Sequence, residues 1–236
     1  MHAAAQKAKK QMVDFFNYTD NPRFYVVVDC IIFGYSEDKL KILVRQFDTD
    51  SGQKTYRLHG GFVQENEDLD DVATRIIRER TGVEEEYTDQ VGTWGKQKRD
   101  PKARVISVAY YTLLNIAECD AEKIARYNSF WVDVDTLPEL QLDHADMVQI
   151  ALFQLRMFVG RKPIGFHLLP DMFTLTQLQR MHEAVLGGEA GQTQLPPPRG
   201  RDELHRQERP DRQAAQQARR STLSVRRANV QIFQQV

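Results

Sequence analysis

At 236 residues the chain has room for one mid-sized domain and a smaller companion, and its net charge of −1 neither favours nor excludes a nucleic-acid partner. Its two cysteines, Cys30 in an apolar run and Cys119 in an acidic loop, offer no metal-ligand spacing and no disulfide framework. The N-terminus lacks the apolar core of a secretory signal, and the most apolar stretch, 24–35, is too short to span a bilayer and carries Asp29, so a soluble, cytoplasmic protein without a membrane partner is expected.

Residues 3–16 predict a helix with a basic cluster at Lys7, Lys9 and Lys10, within an N-terminal arm (1–21) that suggests no chemistry. Asn21-Pro22 breaks that pattern. The β-branched and aromatic run 24–35 predicts a central strand buried on both faces, and Ser36-Glu37-Asp38 turns it into a hairpin partner at 40–46. A polar loop and Tyr56-Arg57-Leu58 then deliver the chain to Gly60-Gly61. There follow an acidic loop and an amphipathic helix with Leu69, Val72, Ala73, Ile76 and Ile77 on its apolar side, closed by Gly82 as a C-cap. Further strands are predicted at 87–94 and 104–114, joined by a basic loop, and a short one at 130–134. Met147, Ile150, Ala151, Phe153, Leu155 and Met157 mark a closing helix over 145–159.

The glycine turn and its helix carry Gly61, Glu67, Arg75, Ile77, Glu79, Gly82 and Val83 at the spacing G-x5-E-x7-R-E-U-x-E-E-x-G-U, where U is aliphatic. This resembles the Nudix box, and seven matched positions over 23 residues make a specific signal. The resemblance covers about 22–161 and implies an α/β fold, the α/β/α Nudix sandwich with a mixed sheet. It also implies Mg²⁺-dependent cleavage of a nucleoside diphosphate linked to another group. Two positions depart from the pattern: Ile76 stands where a carboxylate follows the arginine, and Arg80 where the second glutamate of the pair belongs. Carboxylates at i, i+3 and i+4 of one helix face can converge on a metal cluster. Here only the i+3 member, Glu79, remains. Ile76 offers no ligand, and the Arg80 charge opposes a cation. Glu79 also lies i,i+4 from Arg75 and suits an intrahelical ion pair, while the acids ahead of the helix suit N-terminal caps.

Residues 162–187 read as a second unit, an extended linker from Pro163 followed by a helix that Thr174-Leu-Thr-Gln177 opens with capping-box spacing. The segment resembles the first helix of the winged helix-turn-helix in Nudix-related regulators that sense NAD metabolites or, more closely still, arabinose. A plain helix packed on the sensor domain is the competing reading. After Gly187 the texture changes, because all eleven lysines lie at or before Lys162 and the rest is rich in Arg, Gln and Pro. Such a tail (188–236) is expected to be disordered. Read one base along, its permitted codons allow a basic, Asp-capped helix over 189–205, of the type that enters a major groove. The expectation is therefore a frameshifted copy of a regulator with an incomplete DNA-binding module.

Four side chains are candidates for a ligand. Arg45 and Arg104 either suit bidentate contact with phosphate or sugar hydroxyls or are ordinary edge-strand arginines. His59 beside the glycine turn faces a ligand or is simply solvated. Trp94 stacks on a base or packs in the core. Asp143-His144 suits a helix cap. Two functions follow. In the first, a degenerate Nudix sensor binds a sugar or ADP-ribose-like effector with no cofactor, in a homodimeric regulator whose intact parent binds DNA. In the second, a Mg²⁺-dependent hydrolase uses Glu79 and Glu67 with carboxylates such as Glu84, Glu85 or Glu86.

Overall fold

The computed structural model describes residues 20–49, 52–84 and 87–187. The predicted N-terminal helix, the tail from 188 onward and the pair Glu85 and Glu86 lie outside these residues. Strands β1 (Tyr25–Ser36) and β6 (Val105–Asn115) pair in parallel over eleven residues at the centre of a seven-stranded mixed sheet. The order is β3-β2-β1-β6-β5, with β2 at Lys39–Asp48, β3 at Lys54–Arg57 and β5 at Tyr87–Trp94. Off this path, β4 (His59–Phe62) pairs with β1, and β7 (Ser129–Asp133) pairs with β2. β1 and β2 meet through a two-residue turn in which Glu37 and Asp38 adopt φ of 54° and 56°, the left-handed geometry that suits tight hairpins.

Because side chains alternate along a strand, β1 feeds two cores. Val28, Cys30 and Ile32 face helix α1 (Leu69–Thr81) through Val72, Ala73, Ile76 and Ile77. Ile31 and Phe33 face the other way, with Tyr111 and Leu113 of β6, onto Met147, Ala151 and Leu155 of helix α3 (His144–Val159). This is the expected α/β/α sandwich. The α1 helix is bounded as its sequence suggests. The Asp68 N–H donates to the Asp71 carboxylate at 3.3 Å, and Gly82 closes the helix at φ +78°. Asp70, also expected to be a cap, instead accepts from the Tyr110 hydroxyl at 2.6 Å and ties the helix start to β6. A short helix α2 (Ala121–Arg126), capped by Asp120, escaped the periodicity because it spans under two turns.

The stretch after Pro163 departs from the expected extended linker. Residues Pro163–Leu168 form a 3-10 helix, and Ile164, Leu168 and Leu169 are buried in the α3-side core. Helix α4 (Leu175–Leu186) joins the same core through Met181 and Val185. Its capping box is present: Thr174 Oγ1 accepts from the Gln177 N–H at 3.2 Å, and Gln177 Oε1 from the Thr174 N–H at 2.7 Å. Two polar contacts hold its far side, Arg156 Nε donating to the Val185 carbonyl at 2.8 Å and Arg180 pairing with Asp38 at 3.1 Å. Among the described residues no helix is long and apolar enough to cross a membrane.

Candidate functional site

The box residues sort into a loop clamp and an altered metal position. Arg75 grips Glu67 with two hydrogen bonds, 2.5 Å from Nε and 2.9 Å from Nη2, and also donates to the Phe62 carbonyl. Glu67 in turn accepts from the Gln64 N–H, so this pair fixes the loop between β4 and α1. The Arg75 hydrogen bond holds the Glu67 carboxyl below its ordinary range. Ile76 is fully buried and touches the sheet where a side chain on Gly61 would stand, its Cδ1 being 3.3 Å from that Cβ position. Glu79 pairs with Arg75 at 3.7 Å, as its spacing predicts, and with Arg80 at 3.3 Å. Glu84 lies out in solvent against Arg78. Among the described residues no three His, Cys, Asp or Glu side chains stand together as a metal site requires. Mg²⁺ demands several oxygen ligands at octahedral positions, and among the described residues Glu67, bound to Arg75, and Glu79, shared between Arg75 and Arg80, do not supply that set.

What occupies that end of α1 is positive charge. Arg45 of β2 and Arg57 of β3 are direct cross-strand partners, so their side chains share one face. Both guanidiniums lie over the Phe47 ring, at 4.5 Å and 3.7 Å from its centroid. Arg80 stacks on Tyr127 at 3.8 Å, its side chain only 14% exposed. The described ion pairs engage Arg75, Arg78, Arg80, Arg99 and Arg180 but neither Arg45 nor Arg57. His59 of β4 is 2% exposed among them, and both of its ring nitrogens, like Arg45 Nε, are buried without a hydrogen-bond partner among the described residues. Burial, then the charges of Arg80, Arg45 and Arg57, push the His59 ring down to about 3. Loss of surrounding water also lowers Arg45 and Arg57, and Arg57 is lowered further by Arg45.

A second polar cluster lies on the opposite face of the sheet. Ser107 Oγ donates to Asp29 Oδ2 at 2.6 Å, and Arg99 donates to both oxygens of Asp143, at 3.0 Å from Nε and 2.6 Å from Nη2. Arg99 Nη2 also stands 3.7 Å from Asp29, and His144 Nε2 stands 3.8 Å from it. The Leu58 N–H donates to His144 Nδ1 at 3.1 Å, which leaves the ring proton on the side of Asp29. Burial lowers the His144 pKa against the pull of Asp29 and Asp143. The expected cap is absent, since the Asp143 side chain makes no cap hydrogen bond and serves Arg99 instead. The sequence signal was Asp29 itself, because an acid in a doubly buried strand requires a partner.

The four ligand candidates therefore separate. Arg45 and His59 lie on the α1 face, where the charges of Arg80 and of Arg57, which sequence reasoning did not single out, bear on the His59 ring. Arg104 donates to the Gly95 and Lys96 carbonyls at 2.9 Å and 3.1 Å and lies over Phe24, pinning its own loop. Trp94 packs against the α3-side core.

The NUDIX domain model matches residues 23–151, and the NrtR DNA-binding winged helix domain model matches 165–192. The chain is 31% identical to the ADPR responsive transcriptional repressor NtrR of Acinetobacter baylyi over 73% of this chain and 70% of that protein. It is 28% identical to an ADP-ribose pyrophosphatase of Methanocaldococcus jannaschii over 54% of this chain and 75% of that one. The crystal structure of Shewanella oneidensis NrtR complexed with a 27mer DNA superposes with a TM-score of 0.62 at 28% identity, covering 69% of this chain and 76% of that chain. With its box, its sheet and the helix behind it all in place, the chain belongs to the NUDIX family, as one of the Nudix-related transcriptional regulators that carry an NrtR-type winged-helix segment.

Proposed function

We propose that this protein is a ligand-responsive regulator whose NUDIX domain binds an ADP-ribose-like effector without hydrolysing it. The carrying observation is the pair of altered box positions. Ile76 is buried in the core, and Arg80 brings a guanidinium to the point where a diphosphate hydrolase gathers Mg²⁺. Similarity to an ADPR-responsive repressor supports a nucleotide-linked effector over a free sugar such as arabinose, and similarity to a DNA-bound regulator supports DNA as the second partner. The route between the two is short, because Met181 and Val185 of α4 sit in the same core as Phe33 and Met147. Any repacking of the sheet on effector binding reaches the winged-helix segment through that shared core. We place the protein in the cytoplasm and expect a homodimer, the form that reads a two-fold operator.

The test is direct. Incubated with ADP-ribose and excess Mg²⁺ at high protein concentration, the chain is expected to release no phosphate-bearing product. In EDTA, ADP-ribose is expected to raise Tm while L-arabinose leaves it unchanged. Turnover that Glu79→Gln abolishes would instead establish a pyrophosphohydrolase. Sedimentation and a gel shift with operator DNA address the dimer and the DNA partner.

A further inference from the structure

The effector reading leaves open what grips the ligand, and the α1 face supplies a specific answer. Three guanidiniums from three separate elements act through space on one imidazole, that of His59, and stacking on Phe47 and Tyr127 holds them in place. Gathering like charges costs stability, and so does burying polar nitrogens with no partner. Both costs are removed by one class of ligand, an anion with several acceptor oxygens. The acids nearby do not fill that role: Glu79 is shared between Arg75 and Arg80, and Asp29, which draws on Arg57, is held by Ser107 on the other face.

We infer that Arg45, Arg57, Arg80 and His59 form a metal-free site for the diphosphate of the effector, with Arg80 supplying from the box helix the positive charge that Mg²⁺ supplies in a hydrolase. Arg45 and Arg57, side by side on β2 and β3, present two forks that suit bidentate contact with phosphate oxygens. Arg80 approaches from the helix. A neutral His59 ring offers one N–H and one lone pair, which match an anionic oxygen and a neighbouring hydroxyl, the combination found in a ribose ester of a diphosphate. Binding needs no proton uptake and no metal, and it weakens as salt rises. This inference rests on the effector reading above and refines it.

Calorimetry on the full chain in EDTA tests it, with inorganic pyrophosphate, ADP-ribose and adenosine as probes. Pyrophosphate and ADP-ribose are expected to bind without Mg²⁺, adenosine at least tenfold more weakly than ADP-ribose. Arg57→Met and Arg80→Met are each expected to weaken both phosphate ligands tenfold or more. Arg57 is exposed on a short strand, so its substitution leaves the cores intact, and Arg57→Lys is expected to restore only part of the loss because it lacks the fork. ADP-ribose bound equally by wild type and both variants overturns the site and leaves the effector reading standing. Pyrophosphate bound through the arginines with ADP-ribose rejected supports the site and removes the proposed effector. Pyrophosphate binding that appears only with Mg²⁺, or not at all, overturns the site.

Discussion

Two polar clusters sit on opposite faces of one sheet, separated by a single residue along β4 and its β1 partner, and they are built by opposite rules. Around Asp29 the charges are matched. Arg99 meets Asp143 and Asp29, Ser107 donates to Asp29, and His144 is fixed by a backbone N–H. Around His59 three cations stand with two ring nitrogens that have no described partner. A closed network of this kind ties loop, strand and helix together and has no capacity left for a ligand. An open one is stable only to the extent that the surrounding cores hold it, so it marks the place where binding energy is available. Polarity alone would have ranked the two clusters equally; the pattern of satisfied and unsatisfied groups separates them.

The comparison is tested most severely in the closed cluster. Arg99→Met removes a side chain only 3% exposed, strands Asp143 and takes the nearby cation from Asp29, so unfolding free energy is expected to fall by about 3–5 kcal/mol in urea. Little change would mean that the carboxylates find water or new partners, and the contrast would fail. Gly60→Ala probes the same carboxylate from β4. A Cβ there would stand 2.3 Å from Asp29 Oδ1 and 3.0 Å from the Val28 carbonyl, and Asp29 cannot retreat without losing Ser107. The expected loss is about 1–3 kcal/mol. Gly95→Ala, with nothing within 4 Å of its Cβ, serves as the control and is expected to be neutral.

How much of this was legible beforehand follows from sequence separation. The box declared itself because its residues lie within 23 positions on one loop and helix, where spacing maps onto geometry. Ile76 and Arg80 were readable for the same reason, as was the Arg75–Glu79 pair. The clusters were not, because they are assembled by strand register. Arg45 and Arg57 meet only because β2 and β3 pair in one alignment, and Ser107 reaches Asp29 across 78 residues. The stretch after Pro163 departs from its expected form for a different reason. Its prolines and glycine suggest a linker, yet Ile164, Leu168 and Leu169 are large apolar residues that the α3-side core takes up.

Both clusters also carry a pH dependence of the same sign, through one lowered histidine in each. The His59 ring ordinarily titrates near 6.5 and in the fold near 3, so between those values the unfolded chain carries a proton that the native one lacks. Stability therefore falls as pH drops through 6.5 toward 3, by about 1.4 kcal/mol per pH unit for this group. His144, also lowered, contributes a loss of the same sign. His59→Gln is expected to flatten the slope measured by urea unfolding between pH 6 and 4.5 by about that amount per unit. An unchanged slope would mean that the ring is already open to water in the native state.

The smallest expected change is the one whose sign matters most. In the closed cluster every charge removed is a loss. In the open cluster, removing one should be a gain, provided no anion is bound. Arg57→Met takes an exposed cation away from Arg45 and Arg80 and leaves the thioether against Phe47, so low-salt stability is expected to rise by less than about 1 kcal/mol. Salt should erase the gain, because screening already relieves the repulsion in the wild type. Adding pyrophosphate should reverse the order, since the wild type then recovers more from binding than the variant gained from the missing charge. A variant that is less stable at low salt would show that Arg57 is held by its stacking on Phe47 and not poised against its neighbours. The open cluster would then be packing, and the distinction between the two faces would reduce to the number of hydrogen bonds each happens to make.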